Sequence, residues 1–188
     1  MKRKDADKDE EIRRFVTHVN DIPVNCDVVY LGENGITIKA CESANVGDVG
    51  VVNGIEYTVV SDLNLRQMIV NNADVSTVCT TRVTDMEKFF YQNDVFNQDI
   101  STWDVSNVTS MAGLFNTCNC FNPAYVNVEN MPNLTYWNVS SVTDMSAMFS
   151  HIYGGAMFNQ DISSWDVSNV TNMYRMFMGS NQFNQDLS

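Results

Sequence analysis

The chain has 188 residues, of which 44% are hydrophobic, and it carries a formal net charge of −12 at pH 7. This length and composition are typical of one continuous folded body, and the shortage of basic residues argues against a nucleic-acid-binding surface. Solubility is the simplest reason for the acid excess, and a cationic partner or a divalent ion is the alternative.

The first predicted element is an N-terminal amphipathic helix over residues 1–21. Charged residues open this segment, and Ile12, Phe15, Val16 and Val19 then recur at the spacing of one helical stripe. The segment lacks the apolar run of a signal peptide, and no later stretch reaches the roughly 20 apolar residues that span a bilayer. We expect the helix to cap the first repeat or, alternatively, to anchor the chain on a larger assembly.

Residues 22–73 are predicted to form a small β-rich capping module. Two Asn-Gly steps, at 34–35 and 53–54, each separate two β-prone runs and predict tight hairpin turns. Asp62 then begins a short predicted helix that continues through Val70. The helix offers four apolar side chains for burial, Leu63, Leu65, Met68 and Ile69. We expect this module to cover the first repeat that follows it.

Four copies of one phrase dominate residues 74–188. A Val-Thr-x-Met step occurs at 83–86, 108–111, 142–145 and 170–173, each time followed by an apolar pair and then by a Phe-Asn step. Phe90 and Phe115 are 25 residues apart, as are Phe158 and Phe183. Self-similarity at such a period is typical of repeat proteins, in which each unit stacks on its neighbours.

The residue pattern of one repeat predicts a short strand, a tight turn and a short helix. Residues 99–105 alternate in the manner of a strand. Met111, Leu114 and Phe115 lie at the i, i+3 and i+4 positions of one helical face, behind Thr109 as a possible cap. We therefore predict an α/β solenoid of strand-turn-helix coils with columns of buried side chains. The predicted columns contain Met111, Phe115, Met145, Phe149, Met173 and Phe177.

The stretch 96–115 reads Phe-Asn-Gln-Asp-Ile-Ser-Thr-Trp-Asp-Val-Ser-Asn-Val-Thr-Ser-Met-Ala-Gly-Leu-Phe and recurs nearly intact at 158–177. It resembles the signature of the BspA-like leucine-rich repeat family, also met as the mycoplasma-lipoprotein-type repeat. The resemblance covers residues 74–188. It implies a curved leucine-rich-repeat-like solenoid used for surface attachment and protein recognition, an extracellular or cell-surface location, and no catalytic residues.

An insertion of nine residues interrupts the third repeat within residues 122–136. Loops held on a rigid scaffold are favoured binding sites, so we predict a recognition loop there. Neutral drift in an unimportant coil is the alternative. The candidate recognition residues are Tyr125, Met131, Pro132 and Tyr136.

Residues 183–188 begin another repeat. A repeat array needs a polar terminal cap, and nothing after Gly179 resembles one. We therefore expect the last full repeat to expose apolar side chains, and either a continuing chain, a partner or a second copy to cover them. The candidate docking residues are Met173, Met176, Phe177 and Phe183.

Signals for catalysis are weak throughout the chain. His18 and His151 are isolated, and no His-Glu-x-x-His motif, nucleophile elbow or phosphate-binding loop is present. Acidic residues recur at matching repeat positions, and they either share a hard cation or cap turns. These acids are Asp99, Asp161 and Asp186 at one position and Asp104 and Asp166 at another. We expect no cofactor and no metal.

The five cysteines are an odd number, so at least one thiol is free or pairs between chains. A hairpin turn at 34–35 places Cys41 opposite Val28, so a Cys26–Cys41 disulfide would require a changed strand register. Cys118 and Cys120 stand too close in sequence for an easy disulfide.

Together these observations predict a non-enzymatic interaction or adhesion module that presents a repeat surface to a protein or glycan partner. One alternative is a structural subunit of a larger particle, such as a virion or a cell-surface assembly. Another is an accessory repeat region of a longer secreted protein.

Overall fold

The structure is a computed structural model that describes residues 26–127, 129, 131–153 and 157–186. Two small β-sheets and one α-helix precede a stack of turn-rich repeats in these residues. The helix predicted over residues 1–21 lies outside the described residues. No helix in the described part is long and apolar enough to cross a membrane.

The first sheet is an antiparallel pair of strands, β1 (Val29–Leu31) and β2 (Ile38–Ala40). Their register is centred on Asn34-Gly35, as predicted, but residues 32–37 form the connection and φ is positive at Gly35 and not at Asn34, so the predicted tight two-residue turn is wrong. The Asn34 side chain explains the longer loop, because its Oδ1 accepts hydrogen bonds from the amides of Ile36 and Thr37 at 3.1 and 2.9 Å. The loop therefore folds around an asparagine side chain.

The second sheet has three strands, β3 (Val49–Val52), β4 (Ile55–Val59) and β5 (Val78–Cys79). β3 and β4 pair antiparallel and β4 pairs parallel with β5. Asn53 and Gly54 connect β3 to β4 with φ angles of 52° and 81°. Positive φ at both central residues is the signature of the tight hairpin turn predicted here, which is confirmed.

The two sheets contact each other where β3 carries Gly50. A Cβ atom at Gly50 would lie 2.7 Å from Val29 Cγ2 and 2.9 Å from Val28 Cβ. Only glycine therefore allows β1 and β3 to pack this closely. The first sheet also reaches the repeats, since the Ile38 amide donates a hydrogen bond to the carbonyl of Thr102 at 2.8 Å.

Helix α1 spans Asp62–Val70, the bounds predicted from the sequence. Ser61 is its N-cap, and the Ser61 hydroxyl accepts a hydrogen bond from the Asn64 amide. Leu65 and Ile69 are buried in the main core, whereas Leu63, also expected to be buried, is exposed.

Helix α1 closes one end of the repeat stack. The Asp62 carboxylate accepts hydrogen bonds from the amide and hydroxyl of Thr84 at 2.7 and 3.2 Å. The Arg66 guanidinium donates to the carbonyl of Glu87 and lies 4.5 Å from the centre of the Phe89 ring. Backbone groups of the first repeat are thus satisfied by side chains of the helix.

The strand-turn-helix solenoid predicted for the repeats is wrong. α1 is the only α-helix in the described residues, and the repeats consist mainly of turns and isolated β-bridges. Met111 and Leu114 do face the same side, but a reverse turn brings them there, with the Leu114 amide 3.1 Å from the Met111 carbonyl. Gly113 in this turn has a φ of 60°, a left-handed conformation that no α-helix propagates.

The predicted strand of each repeat is also replaced by a turn. In the region expected to alternate, the Trp103 amide donates to the Ile100 carbonyl at 3.2 Å. The same turn occurs between Trp165 and Ile162 at 3.0 Å. The isoleucine and the tryptophan are therefore buried because the turn points both side chains into the core. A strand was predicted because the sequence shows the apolar positions and not the turn that joins them.

Each repeat contacts the next through one stretch of backbone, which we call a ladder segment. The four ladder segments are 86–92, 111–117, 145–151 and 173–179. Alternate amides of one segment donate hydrogen bonds to backbone carbonyls of the next repeat. In the second segment, the Met111 amide donates to the Asp144 carbonyl at 2.8 Å, and the Gly113 amide donates to the Ser146 carbonyl at 2.7 Å. The first and third segments repeat this pattern of donation. Parallel bridges alongside the segments join Asp85, Ser110, Asp144 and Asn172.

Columns of large side chains run through the stack. Phe90, Phe115, Phe149 and Phe177 stack in succession, with ring centres 5.2, 5.8 and 5.7 Å apart. The expected burial is confirmed for Met111, Phe115, Met145 and Phe149. It is wrong for Met173, which is 44% exposed, and Phe177 is only partly buried.

Three tryptophans form a second column, which packs against the phenylalanine column and joins successive repeats. The indole N–H of Trp103 donates to Val75, that of Trp137 to Ile100, and that of Trp165 to Leu134, at 3.0, 3.3 and 3.2 Å. Each buried indole thus pairs with a backbone carbonyl of the preceding repeat, as a buried N–H requires.

Both disulfides judged unfavourable from the sequence are present. Cys41 does lie opposite Val28, with a 2.9 Å hydrogen bond between their backbones, so the register is unchanged. Cys26 nevertheless pairs with Cys41 at a Cα–Cα distance of 5.9 Å, because the chain bends before β1 begins. Cys118 and Cys120 pair at 5.3 Å, which is within the normal range for a disulfide. Cys79 is a buried free thiol.

Candidate functional site

The insertion in the third repeat displays two of its four predicted recognition residues. Tyr125 is 64% exposed and Tyr136 is 49% exposed. Met131 is partly buried and packs on the main core, and Pro132 is buried. The loop is therefore anchored through Met131 and Pro132 and presents its tyrosines outward.

A glutamine from the next repeat fixes the end of the insertion. The Gln160 side chain accepts a hydrogen bond from the Leu134 amide at 2.9 Å and donates to the Pro132 carbonyl. Gln98 makes the same pair of bonds to an earlier segment, with Val75 and Ala73. The insertion thus rejoins the regular repeat at Leu134, which makes it a loop on a fixed base.

Tyr136 lines a cleft of about 180 Å³ between the first β-sheet and the repeats, here called the hairpin cleft. Its walls combine apolar surface with polar residues, among them Tyr30, Lys39, Asp104 and Asn138. Asp104 is buried, and its carboxylate accepts hydrogen bonds from the hydroxyls of Thr81 and Ser106 at 2.7 and 2.6 Å. The hairpin cleft therefore offers both hydrogen-bond donors and acceptors beside an aromatic ring.

Met131 lines a different and more open cleft, here called the acidic cleft. Its walls include Asp99, Glu129, Asn133 and Asp161. The two tyrosines and Met131 of the insertion therefore do not converge on a single pocket. The insertion instead borders two clefts of different chemistry.

The repeated carboxylates cap turns, which was one of their two predicted roles. Asp99 and Asp161 accept hydrogen bonds from the amides of Ser101 and Ser163 at 2.9 and 3.0 Å. The Ser163 amide lowers the pKa of Asp161. Within the described residues, no group of histidine, cysteine and acidic side chains is arranged to hold a metal ion.

The four candidate docking residues lie together at the far end of the stack. Met173, Met176 and Phe177 line an apolar groove of about 250 Å³ with Ile162, Trp165 and Val167. Met176 is buried, and Phe183 stacks on Phe177 with ring centres 4.2 Å apart. We call this feature the end groove.

His151 is buried, and both its ring nitrogens lack a hydrogen-bond partner in the described residues. The ring of Tyr153 lies beside it, with ring centres 6.5 Å apart. His18 lies outside the described residues.

A family profile described as "Mycoplasma protein of unknown function, DUF285" matches residues 62–132 and again residues 123–188. The first match begins with helix α1 and the two matches overlap in the insertion, so together they cover the entire repeat stack. Neither a curated protein nor a solved structure matches the chain. Because the matched residues make up more than half of the sequence, the chain belongs to the DUF285 family of mycoplasma-type repeat proteins.

Proposed function

We propose that the chain is a non-enzymatic recognition module that binds a protein or glycan partner through the insertion of its third repeat. The observation that carries this proposal is the exposure of Tyr125 and Tyr136 on a loop whose base is fixed by Gln160. Tyrosine supplies a large contact area at a low cost in side-chain entropy, and it is enriched in binding surfaces.

The clefts beside the loop support the same proposal. The hairpin cleft lies next to Tyr136 and combines the ammonium of Lys39 with the amide of Asn138. Such a mixture of donors and acceptors suits the hydroxyl and amide groups of a glycan or a polar peptide. The resemblance to BspA-like surface proteins supports a location outside the cell or on its surface.

Binding of labelled protein to a glycan array and to immobilised extracellular-matrix proteins tests the proposal. We expect saturable binding to one of these classes and at least a tenfold loss of affinity when Tyr125→Ala and Tyr136→Ala are combined. Tyr174→Ala is a matched control, because Tyr174 is 65% exposed but lies on the last repeat, away from the insertion. Absence of binding, or equal losses in the control, would contradict the proposal.

A second candidate function is that of a structural subunit in a larger particle. The apolar end groove supports it where no further repeat of a longer chain covers that groove, because apolar surface of this kind is usually covered by another subunit. Native mass measurement separates the two candidates, since a subunit of this kind forms a defined oligomer without any added ligand.

A further inference from the structure

The second sheet carries apolar side chains on both of its faces. Tyr57 and Val59 of β4 are buried in the core between the two sheets. Val49 and Val51 of β3 point to the opposite face, because Gly50 between them pairs with Tyr57. They are 51% and 60% exposed, and we call their side of the sheet the outer face. A sheet with apolar residues on both faces is typically covered on both.

Helix α1 covers the outer face only where β5 lies. Val78 of β5 is paired with Thr58, and it is buried in the main core together with Leu65 and Ile69 of α1. β3 is at the opposite edge of this sheet, and its two exposed valines show that the cover ends before it. The β3 end of the outer face therefore remains uncovered within the described residues.

A groove extends this uncovered surface towards α1. It has a volume of about 350 Å³ and lies between β4 and the helix, with Val46, Thr58 and Met68 among its lining residues. Val46, in the loop before β3, is itself 47% exposed. This feature, here called the sheet groove, leaves room for a side chain from a further segment beside α1.

The segment before Cys26 enters the fold beside β3. Cys26 is held by its disulfide, and Val28 contacts β3, since a Cβ atom at Gly50 would lie 2.9 Å from Val28 Cβ. From Val19 to Cys26 an extended chain spans up to roughly 25 Å. β3 is an edge strand, so a chain of this length can pass around it to the outer face.

The chemistry of the N-terminal segment matches the outer face. The apolar stripe of the predicted helix, over 12–19, is about 10 Å long, and the four residues of β3 are about 13 Å long. This stretch contains two arginines and no acidic residue, and Arg13 borders the stripe. From the loop before β3 to the start of α1, by contrast, the charged residues are Asp48 and Glu56. The two surfaces are therefore complementary in length and in charge.

Other arrangements fit less well. The end of the first repeat, which this helix was expected to cap, is already occupied by α1 through Asp62 and Arg66. A second copy that packed its own outer face here would bring the acids of both copies together, since the hairpin of β3 and β4 carries no basic residue. The N-terminal segment brings both the apolar stripe and the positive charge that a second outer face lacks.

We propose that residues 12–19 form an amphipathic helix that packs in cis on the outer face, beside α1. The stripe covers Val49 and Val51, and the Phe15 ring enters the sheet groove. Arg13 lies towards the acids of the hairpin. The segment is then part of the folded body, and it is not a free anchor for a larger assembly.

Photocross-linking of the full chain at about 1 μM tests this placement, since only tight self-association persists at that concentration. The photoreactive residue p-benzoylphenylalanine replaces Phe15, and we expect cross-links within the same chain to Val46, Val51 or Met68. In the control chain it replaces Thr17, which lies on the opposite side of the predicted helix and is expected to give about tenfold fewer of these cross-links.

Three results overturn the proposal. Equal yields from the two positions would show that residues 12–19 present no fixed face to the sheet. Cross-links formed mainly with the repeats would place the segment elsewhere. Cross-links between two chains would identify a second copy as the occupant of the outer face.

Two variants check that the outer face holds the segment. Val51→Lys adds a positive charge where Arg13 approaches, and it is expected to lower the cross-linking yield from position 15 about tenfold, the scale of losing one buried valine. Val95→Lys is the matched control with an unchanged yield, because Val95 is 68% exposed but lies outside both sheets. Circular-dichroism spectra verify that both variants are folded. A yield that Val51→Lys leaves unchanged, or that both variants lower equally, contradicts the proposal.

Discussion

One backbone position recurs with positive φ in every repeat and determines the shape of the ladder segments. Lys88, Gly113, Ala147 and Arg175 occupy it, with φ values of 56°, 60°, 52° and 57°. The left-handed conformation is nearly free for glycine but costs other residues about 1–2 kcal/mol. Only one of the four repeats therefore has the residue that this position favours, and the other three carry local strain.

Ala147→Gly is expected to stabilise the protein by about 0.5–1 kcal/mol. The relief of the left-handed strain exceeds the additional freedom that glycine gives the unfolded chain. The Ala147 amide keeps its 2.8 Å hydrogen bond to Tyr174, so the ladder is preserved. Urea denaturation measures the change in the free energy of unfolding.

The reverse substitution, Gly113→Ala, provides the control for that experiment. Its new Cβ would lie 3.2 Å from Cγ of Lys88 in addition to adopting the unfavourable φ. We expect a loss of about 1–2 kcal/mol. If both substitutions destabilise equally, the left-handed conformation of this column is not the source of the effect.

Among the elements, those that depend on residues close together in sequence were predicted correctly. Helix α1 follows from its N-cap Ser61 and its apolar face, and the Asn53-Gly54 turn follows from two residues that tolerate positive φ. The repeats were mispredicted because reverse turns and a helix place i and i+3 side chains on the same side. Gly113 indicated locally that the segment is not a helix. The equivalent residue of the next repeat is Ala147, which favours a helix and so gave no such indication.

In the candidate site, too, features that depend on contacts between repeats were not predicted. Exposure of Tyr125 and Tyr136 agrees with an inserted loop, as the repeat spacing indicates. The carbonyl of the buried Pro132 is bonded by Gln160, which lies 28 residues farther along the chain. Contacts over that distance are set by the stacking of repeats, so inspection of the loop sequence alone does not reveal them.

The Asp62 carboxylate is one of the groups through which helix α1 stabilises the stack, and it gives a prediction at this scale. Asp62→Ala removes the acceptor of the Thr84 amide, and we expect a loss of about 1–2 kcal/mol, the usual range for a helix-end or charge-assisted hydrogen bond. Hydrogen exchange is expected to quicken at Thr84 and Asp85, whose amides both reach Asp62. Asp62→Asn retains an acceptor oxygen and is expected to lose less than half as much. Equal losses of unfolding free energy in both variants would show that the negative charge of Asp62, and not its role as a hydrogen-bond acceptor, provides the stabilisation.

For the whole molecule, acidic turn caps link stability to pH. The hydroxyl and amide of Ser76 lower the pKa of Asp74, and those of Ser168 lower the pKa of Asp166. A carboxyl whose folded pKa lies below its unfolded value stabilises the fold above the unfolded value, near 3.9. That stabilisation is lost as the pH falls through the folded value. Asn138 makes the corresponding cap without titrating, through a 3.2 Å bond from the Ser140 amide.

The combined substitutions Asp74→Asn, Asp161→Asn and Asp166→Asn should therefore make stability less sensitive to acid. Asparagine keeps the Oδ1 acceptor but not the charge, so the urea midpoint at pH 7 is expected to fall somewhat, while its further decline below about pH 4 becomes shallower. A control with Asp27→Asn, Glu42→Gln and Glu56→Gln removes the same net charge from exposed carboxyls outside these caps. Because general charge repulsion affects both chains alike, only the cap variant is expected to flatten the acid limb. Parallel acid limbs in the two variants would mean that overall charge, and not turn capping, governs the acid stability of the repeats.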